Sequence, residues 1–122
     1  MKITNEGLDI LYHKVQQSFR AIDISSNMFV GEILESIGDL RELYMLNISN
    51  NILTGNIPPS LGNLTKLESL DLSQNKLSGE ISPQLTQLIF LECFNVTHNN
   101  LIGSIPRGNN LKHLKKIRLR EI

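Results

Sequence analysis

The sequence holds one cysteine, Cys93, and no tryptophan. A single thiol excludes an internal disulfide. With no second cysteine, and with His13, His98 and His113 scattered along the chain, no metal-ligand spacing exists either. Aromatic residues make up only 5%, so an aromatic-rich binding hot spot has few residues to draw on. No apolar run approaches the roughly 18–20 residues of a membrane-spanning helix. The opening MKITNEGLDI has no apolar stretch of the kind a secretory signal carries. Taken alone, these absences point to the cytosol. A phosphate loop, a Gly-x-Ser-x-Gly elbow and a kinase signature are also missing, so neither an enzyme nor a cofactor nor a metal is expected.

Charge of one sign is lacking only on average. The formal net charge is zero. Residues 1–106 carry six Lys/Arg against eleven Asp/Glu, a net of −5, and residues 107–122 carry six Lys/Arg against one Glu, a net of +5. A mildly acidic body does not fit a nucleic-acid partner.

What the chain does have is a period. Asn27, Asn51, Asn75 and Asn99 stand 24 residues apart, and Gly31, Gly55, Gly79 and Gly103 keep the same step, as do Ile33, Ile57, Ile81 and Ile105. A fixed period in the twenties is the mark of a solenoid, in which each unit buries its apolar face against its neighbours. Each unit opens Leu-x-x-Leu-x-Leu-x-x-Asn in outline. The third reads LESLDLSQN, with Leu67, Leu70, Leu72 and Asn75. Alternation in the Leu-x-Leu core predicts a short half-buried strand, and stacking predicts a parallel sheet. Leu or Ile at positions 22, 24, 46, 48, 70 and 72 is the predicted core. The asparagine follows the strand, where the chain turns inward and its amides lose their strand partners. Such groups must be satisfied, and a carboxamide both donates and accepts. Asn27, Asn51, Asn75 and Asn99 therefore read as a buried structural ladder. The second half of each unit is Leu-x-Gly-x-Ile-Pro-x-x-Leu-Gly-x-Leu, clearest at Leu53 to Leu64. Leu34 and Ser82 fill the proline slot in two units, and Thr86 replaces the second glycine, which predicts local adjustments.

The segments LNISNNILTGNIPPSLGNL (46–64) and LESLDLSQNKLSGEI (67–81) resemble the plant-specific leucine-rich repeat, and the resemblance covers residues 19–106. Residues 7–29, GLDILYHKVQQSFRAIDISSNMF, resemble the exit from the non-repeat island of plant receptor-like proteins of the disease-resistance type. Pro106-Arg107-Gly108 is similar to the run that closes the last repeat there. The resemblance implies an α/β-type repeat fold: a short leucine-rich-repeat solenoid of four 24-residue units with its parallel sheet on the concave face. Residues 1–18 form a pre-repeat segment, 19–106 the repeats and 107–122 a basic divergent tail. Family members are secreted, capped by paired cysteines and anchored by one membrane helix. The resemblance therefore implies the extracellular side of the plasma membrane for a complete member, parts this sequence does not show. It also implies protein binding in immune or developmental signalling, with a somatic-embryogenesis-type co-receptor kinase as partner. A soluble inhibitor in the manner of polygalacturonase-inhibiting proteins, and a non-functional truncated product, stay open beside it.

Positions flanking each Leu-x-Leu face the concave surface. Tyr44, Glu68, Asp71, Glu92, Asn95 and His98 are the candidate partner contacts, with Arg20 close by. Asn47, Asn63 and Asn95 begin Asn-x-Ser/Thr sequons, and Asn63, in a convex loop, is the most credible acceptor. Cys93 has no basic neighbour to activate it and reads as passive. The tail has apolar residues at 111, 114, 117, 119 and 122 with Lys/Arg between. That pattern suits a basic helix on an anionic membrane, or an end that covers the open core.

Overall fold

A computed structural model describes residues 20–106 and the strand Lys116–Arg118. Each rung starts with a three-residue strand: β1 (Ala21–Asp23), β3 (Met45–Asn47), β5 (Ser69–Asp71), β7 (Cys93–Asn95) and β9 (Lys116–Arg118). They form one five-stranded parallel sheet in the order β1-β3-β5-β7-β9. The register pairs Ile22 with Leu46, Leu46 with Leu70, and Leu70 with Phe94. Every apolar strand centre thus falls in one inward column, and the residues on either side form outward columns, Ala21, Met45, Ser69 and Cys93 before it and the polar Asp23, Asn47, Asp71 and Asn95 after it.

After the asparagine the chain makes a second set of strands. β2 (Val30–Glu32) pairs in parallel with β4 (Ile52–Thr54), and β6 (Ser78–Glu80) pairs with β8 (Asn100–Ile102). A single bridge between Asn56 and Ser78 links the two pairs. Short 3-10 helices at Glu35–Asp39, Pro59–Asn63 and Pro83–Gln87 complete the rungs on the convex side. The first of these lacks proline, with Leu34 as its cap. The third is capped by Ser82, whose hydroxyl accepts the Gln84 amide. The helices stack closely, and a Cβ on Gly62 would stand 2.4 Å from the Gln84 carbonyl oxygen. Glycine is required there by close approach.

The core runs through the middle of the coil. Leu43, Leu53, Leu61, Leu64, Leu67, Leu70, Leu72, Leu77, Leu85 and Leu88 are fully enclosed. Ile24 departs from the expected core. It is half-buried, because it belongs to the first described rung and has a described neighbour on one side only.

The asparagines work as bridges between turns. The Asn75 carboxamide accepts the Leu53 amide through Oδ1 and donates through Nδ2 to the carbonyls of Ile48, Leu72 and Ser73 at 3.1–3.2 Å. Asn51 joins Asn27 and Phe29 above it to Ile48 and Ser49 in its own turn. Asn99 reaches Leu77 and Leu72 in the same manner. Asn27 differs from the expected buried ladder. It is exposed, and among the described residues its Nδ2 donates only within its own turn, to Ile24 and Ser25.

The tail held two readings, and its strand decides against a helix at that point. Lys116–Arg118 pair with Cys93–Asn95 in parallel, extending the concave sheet by one rung. The rest of 107–122, and all of 1–18, lie outside the described residues.

Candidate interaction surface

The outward columns of the sheet are the surface most free to vary. The fold fixes what lies between them and leaves these positions to solvent. The six candidate contacts separate into three places. Tyr44, Glu68 and Glu92 form one column just before the strands, joined by main-chain bonds from Glu68 N to Tyr44 O and from Glu92 N to Glu68 O. All three are exposed. Asp71 and Asn95 lie within strands and are half-buried. His98 sits past the strand ends, on the opposite edge of the sheet, in the left-handed conformation at φ 60. The structure therefore brings Tyr44, Glu68 and Glu92 together, and does not join His98 to them.

Asp71 and Asn95 are partly committed to the turn that follows. Asp71 Oδ1 accepts both the amide and the hydroxyl of Ser73. Asn95 Oδ1 does the same for Thr97, Asn47 Oδ1 takes the Ser49 amide, and Asp23 takes both groups of Ser25. These bonds hold the Asp23 carboxyl below the usual range, with the Ser25 hydroxyl contributing most. This local capping is an Asx turn. It explains a polar residue at each of these positions without a partner, and leaves only the second polar atom of each group for a ligand.

The column before the strands is different. Arg20, Tyr44 and Glu68, with Glu42, Lys66 and Phe90 from the preceding corners, line an open groove of about 240 Å³. Lys66 Nζ pairs with Glu42 Oε1 at 2.9 Å. That bond, together with the Lys66 charge and, more weakly, the Arg20 charge, lowers the Glu42 carboxyl from its ordinary value. Tyr44 is 45% exposed and Phe90 57% exposed, and Ile89 beside Phe90 is 64% exposed. The sequence reading missed Phe90, Ile89 and the Glu42–Lys66 pair. The signal was in the repeat itself: the corner pairs Arg41-Glu42 and Thr65-Lys66 give way to Ile89-Phe90.

The sequon asparagines also separate. Asn63 ends the 3-10 helix Pro59–Asn63 and is exposed, whereas Asn47 and Asn95 are half-buried strand residues. Cys93 is a half-buried free thiol on β7. Among the described residues no group of His, Cys, Asp and Glu side chains is placed to hold a metal ion, and no helix is long and apolar enough to cross a membrane.

Comparison with known proteins agrees with this architecture. The Leucine Rich Repeat family matches residues 42–64 and 66–88. Receptor-like protein 12 of Arabidopsis thaliana is 48% identical over 43 residues, which is 35% of this chain and 5% of that protein. The leucine-rich-repeat ectodomain of the Arabidopsis receptor kinase SOBIR1 superposes with a TM-score of 0.76 at 31% identity, over 84% of this chain and 55% of the other. The Arabidopsis receptor kinase HAESA, solved in complex with the peptide hormone IDA and the co-receptor SERK1, gives a TM-score of 0.76 at 30% identity, over 83% of this chain and 18% of the other. The chain thus spans about half or less of the length of the proteins it resembles. In-phase repeats, a parallel concave sheet, an asparagine ladder and these likenesses together make it a leucine-rich-repeat solenoid similar to the ectodomains of plant receptors.

Proposed function

We propose that these repeats act as a non-enzymatic protein-binding module of a plant cell-surface receptor-like protein, in immune or developmental signalling. The concave side and its leading edge are the contact surface, and a co-receptor kinase of the somatic-embryogenesis type is the partner. The observation that supports this reading is the contrast between columns. The inward columns repeat Leu, Ile and Asn from rung to rung, while the outward column runs Arg20, Tyr44, Glu68, Glu92, from a cation through a ring to two carboxylates. The similar receptor HAESA has been solved with the co-receptor SERK1, which gives the partner class. In this reading the chain works on the extracellular side of the plasma membrane, and Asn63 carries a glycan on the convex face, clear of the contact.

The test is to transfer E68K and E92K into a full-length relative and measure co-receptor capture at matched expression. Loss of capture with unchanged capture from Asn63→Gln supports the concave edge. Loss from convex substitutions alone overturns the surface. No loss from either set overturns binding by these repeats and leaves them as a spacer.

A further inference from the structure

The groove at the leading edge of the sheet joins three successive rungs whose side chains do not repeat. Its lining holds two cations, Arg20 and Lys66, and two carboxylates, Glu42 and Glu68, and the four are unevenly paired. The Glu42 carboxylate is occupied by Lys66 at 2.9 Å and also feels Arg20. Glu68 makes no side-chain hydrogen bond or ion pair among the described residues. The next rung places Glu92 in the same column, at the strand spacing of about 4.8 Å. Like charges on adjacent rungs oppose folding, and the fold does not demand them, since Arg20 and Tyr44 occupy the same column in other rungs.

The walls are equally unforced. Where two corners expose Arg41-Glu42 and Thr65-Lys66, the third exposes Ile89 and Phe90. Tyr44 stands on the other side of Glu68 from Glu92, with nearly half its surface in solvent. An unpaired carboxylate that lines one groove with two exposed rings suits one kind of group: a cation on a long apolar stem. The head bonds the carboxylate and faces the rings, and the stem lies along the apolar wall.

We propose that this groove captures an arginine or lysine side chain from an extended segment of a partner polypeptide. Glu68 accepts the cation, and Tyr44 and Phe90 flank it. The inference rests on the protein-binding reading above and gives that reading a chemistry.

The full chain, labelled with ¹⁵N, is titrated with the capped probe peptide Gly-Arg-Leu-Gly and with its counterpart Gly-Glu-Leu-Gly, following amide shifts by NMR. With the arginine probe, shifts of Tyr44, Glu68 and Phe90 should move together and saturate. E68Q and F90A, both at exposed positions, should keep the dispersed spectrum and each weaken the arginine probe by about two- to fivefold, the size expected of an exposed charge-assisted or ring contact. An equal response to the glutamate probe, shifts centred elsewhere, or unchanged binding in both variants overturns the proposal. If the arginine probe fails while E68K and E92K still abolish co-receptor capture, this inference falls and the protein-binding reading stands. Probe binding that survives alongside unaffected capture supports the groove and removes the co-receptor from it.

Discussion

At the scale of the residue, one side chain type makes most of the side-chain hydrogen bonds between rungs. A buried Asn75 with one accepted and three donated bonds ties two turns that have no other way to satisfy their amides. Asn75→Ala leaves a buried carbonyl and amide unpaired, and should cost about 1–3 kcal/mol in a urea or thermal unfolding measurement. Asn27→Ala should cost less, because Asn27 is exposed and donates only within its own turn. Equal losses from the two would contradict the ladder. A second residue-scale prediction concerns acid. The bonds from Ser25 depress the Asp23 carboxyl, so its folded value lies below its unfolded one. Its contribution is complete above the ordinary value of about 4 and is lost as pH falls through the folded value. Ser25→Ala should therefore show a smaller fall in unfolding midpoint than the parent between about pH 6 and about pH 3, the opposite slope refuting the assignment. The ladder was legible in the sequence because its cause is periodic. The turn-capping role of Asp71 and Asn95 was not. An Asx turn and a ligand contact ask for the same residue types, and only the bond from Ser73 or Thr97 tells them apart.

At the scale of the element, glycine and threonine at equivalent positions of the 3-10 helices report how the helices stack. Gly38 and Gly62 each face a backbone carbonyl of the following helix, at 2.5 and 2.4 Å from an added Cβ. Thr86 occupies the same position in the third helix, where no further helix follows among the described residues, and its hydroxyl bonds back to Pro83 at 2.7 Å. Among the described residues no following helix sets a carbonyl against that side chain as Ser60 and Gln84 stand against the two glycines. Gly62→Ala should destabilise by about 1–3 kcal/mol, the usual cost of forced overpacking, and Thr86→Ala by about 1 kcal/mol or less. A neutral Gly62→Ala would mean that the helices are not in contact. The concave strands and their register could be read ahead because a 24-residue step places every column at once. The second sheet could not, since Val30–Glu32 and Ser78–Glu80 lack the alternation of the first. Each centres instead on a left-handed glycine, Gly31 or Gly79, at φ 102 and 81.

At the scale of the whole molecule, a solenoid is stable as a sum of rungs and the interfaces between them, so its ends decide how much of the sum survives. Burial falls toward both ends: Leu70 is wholly enclosed, while Ile22, Leu91 and Leu101 retain a few per cent of exposure. The strand at Lys116–Arg118 therefore matters beyond its length. Its pairing gives the open side of β7 backbone partners, continuing the register Phe94 to Ile117. The sequence carried the sign of this rung. Leu114-x-x-Ile117-x-Leu119 repeats the opening of the other units, but the step from Cys93 to Lys116 is 23 residues instead of 24, and Ile122 stands where the asparagine belongs. With the ladder residue gone and six basic side chains crowded into 107–122, the pattern reads equally well as a basic amphipathic segment. Removal of residues 114–122 should expose one edge of β7 and lose two or three backbone bonds at about 1 kcal/mol each. The expected result is a lower urea midpoint with a nearly unchanged slope, because most of the apolar surface stays in the rungs that remain. The cut should also leave an open strand edge, a template for pairing with a second chain, so light scattering should show self-association that grows with concentration. An unchanged midpoint with no association would mean that β9 adds nothing to the sheet it joins, and that the solenoid is closed at Phe94 by its own packing.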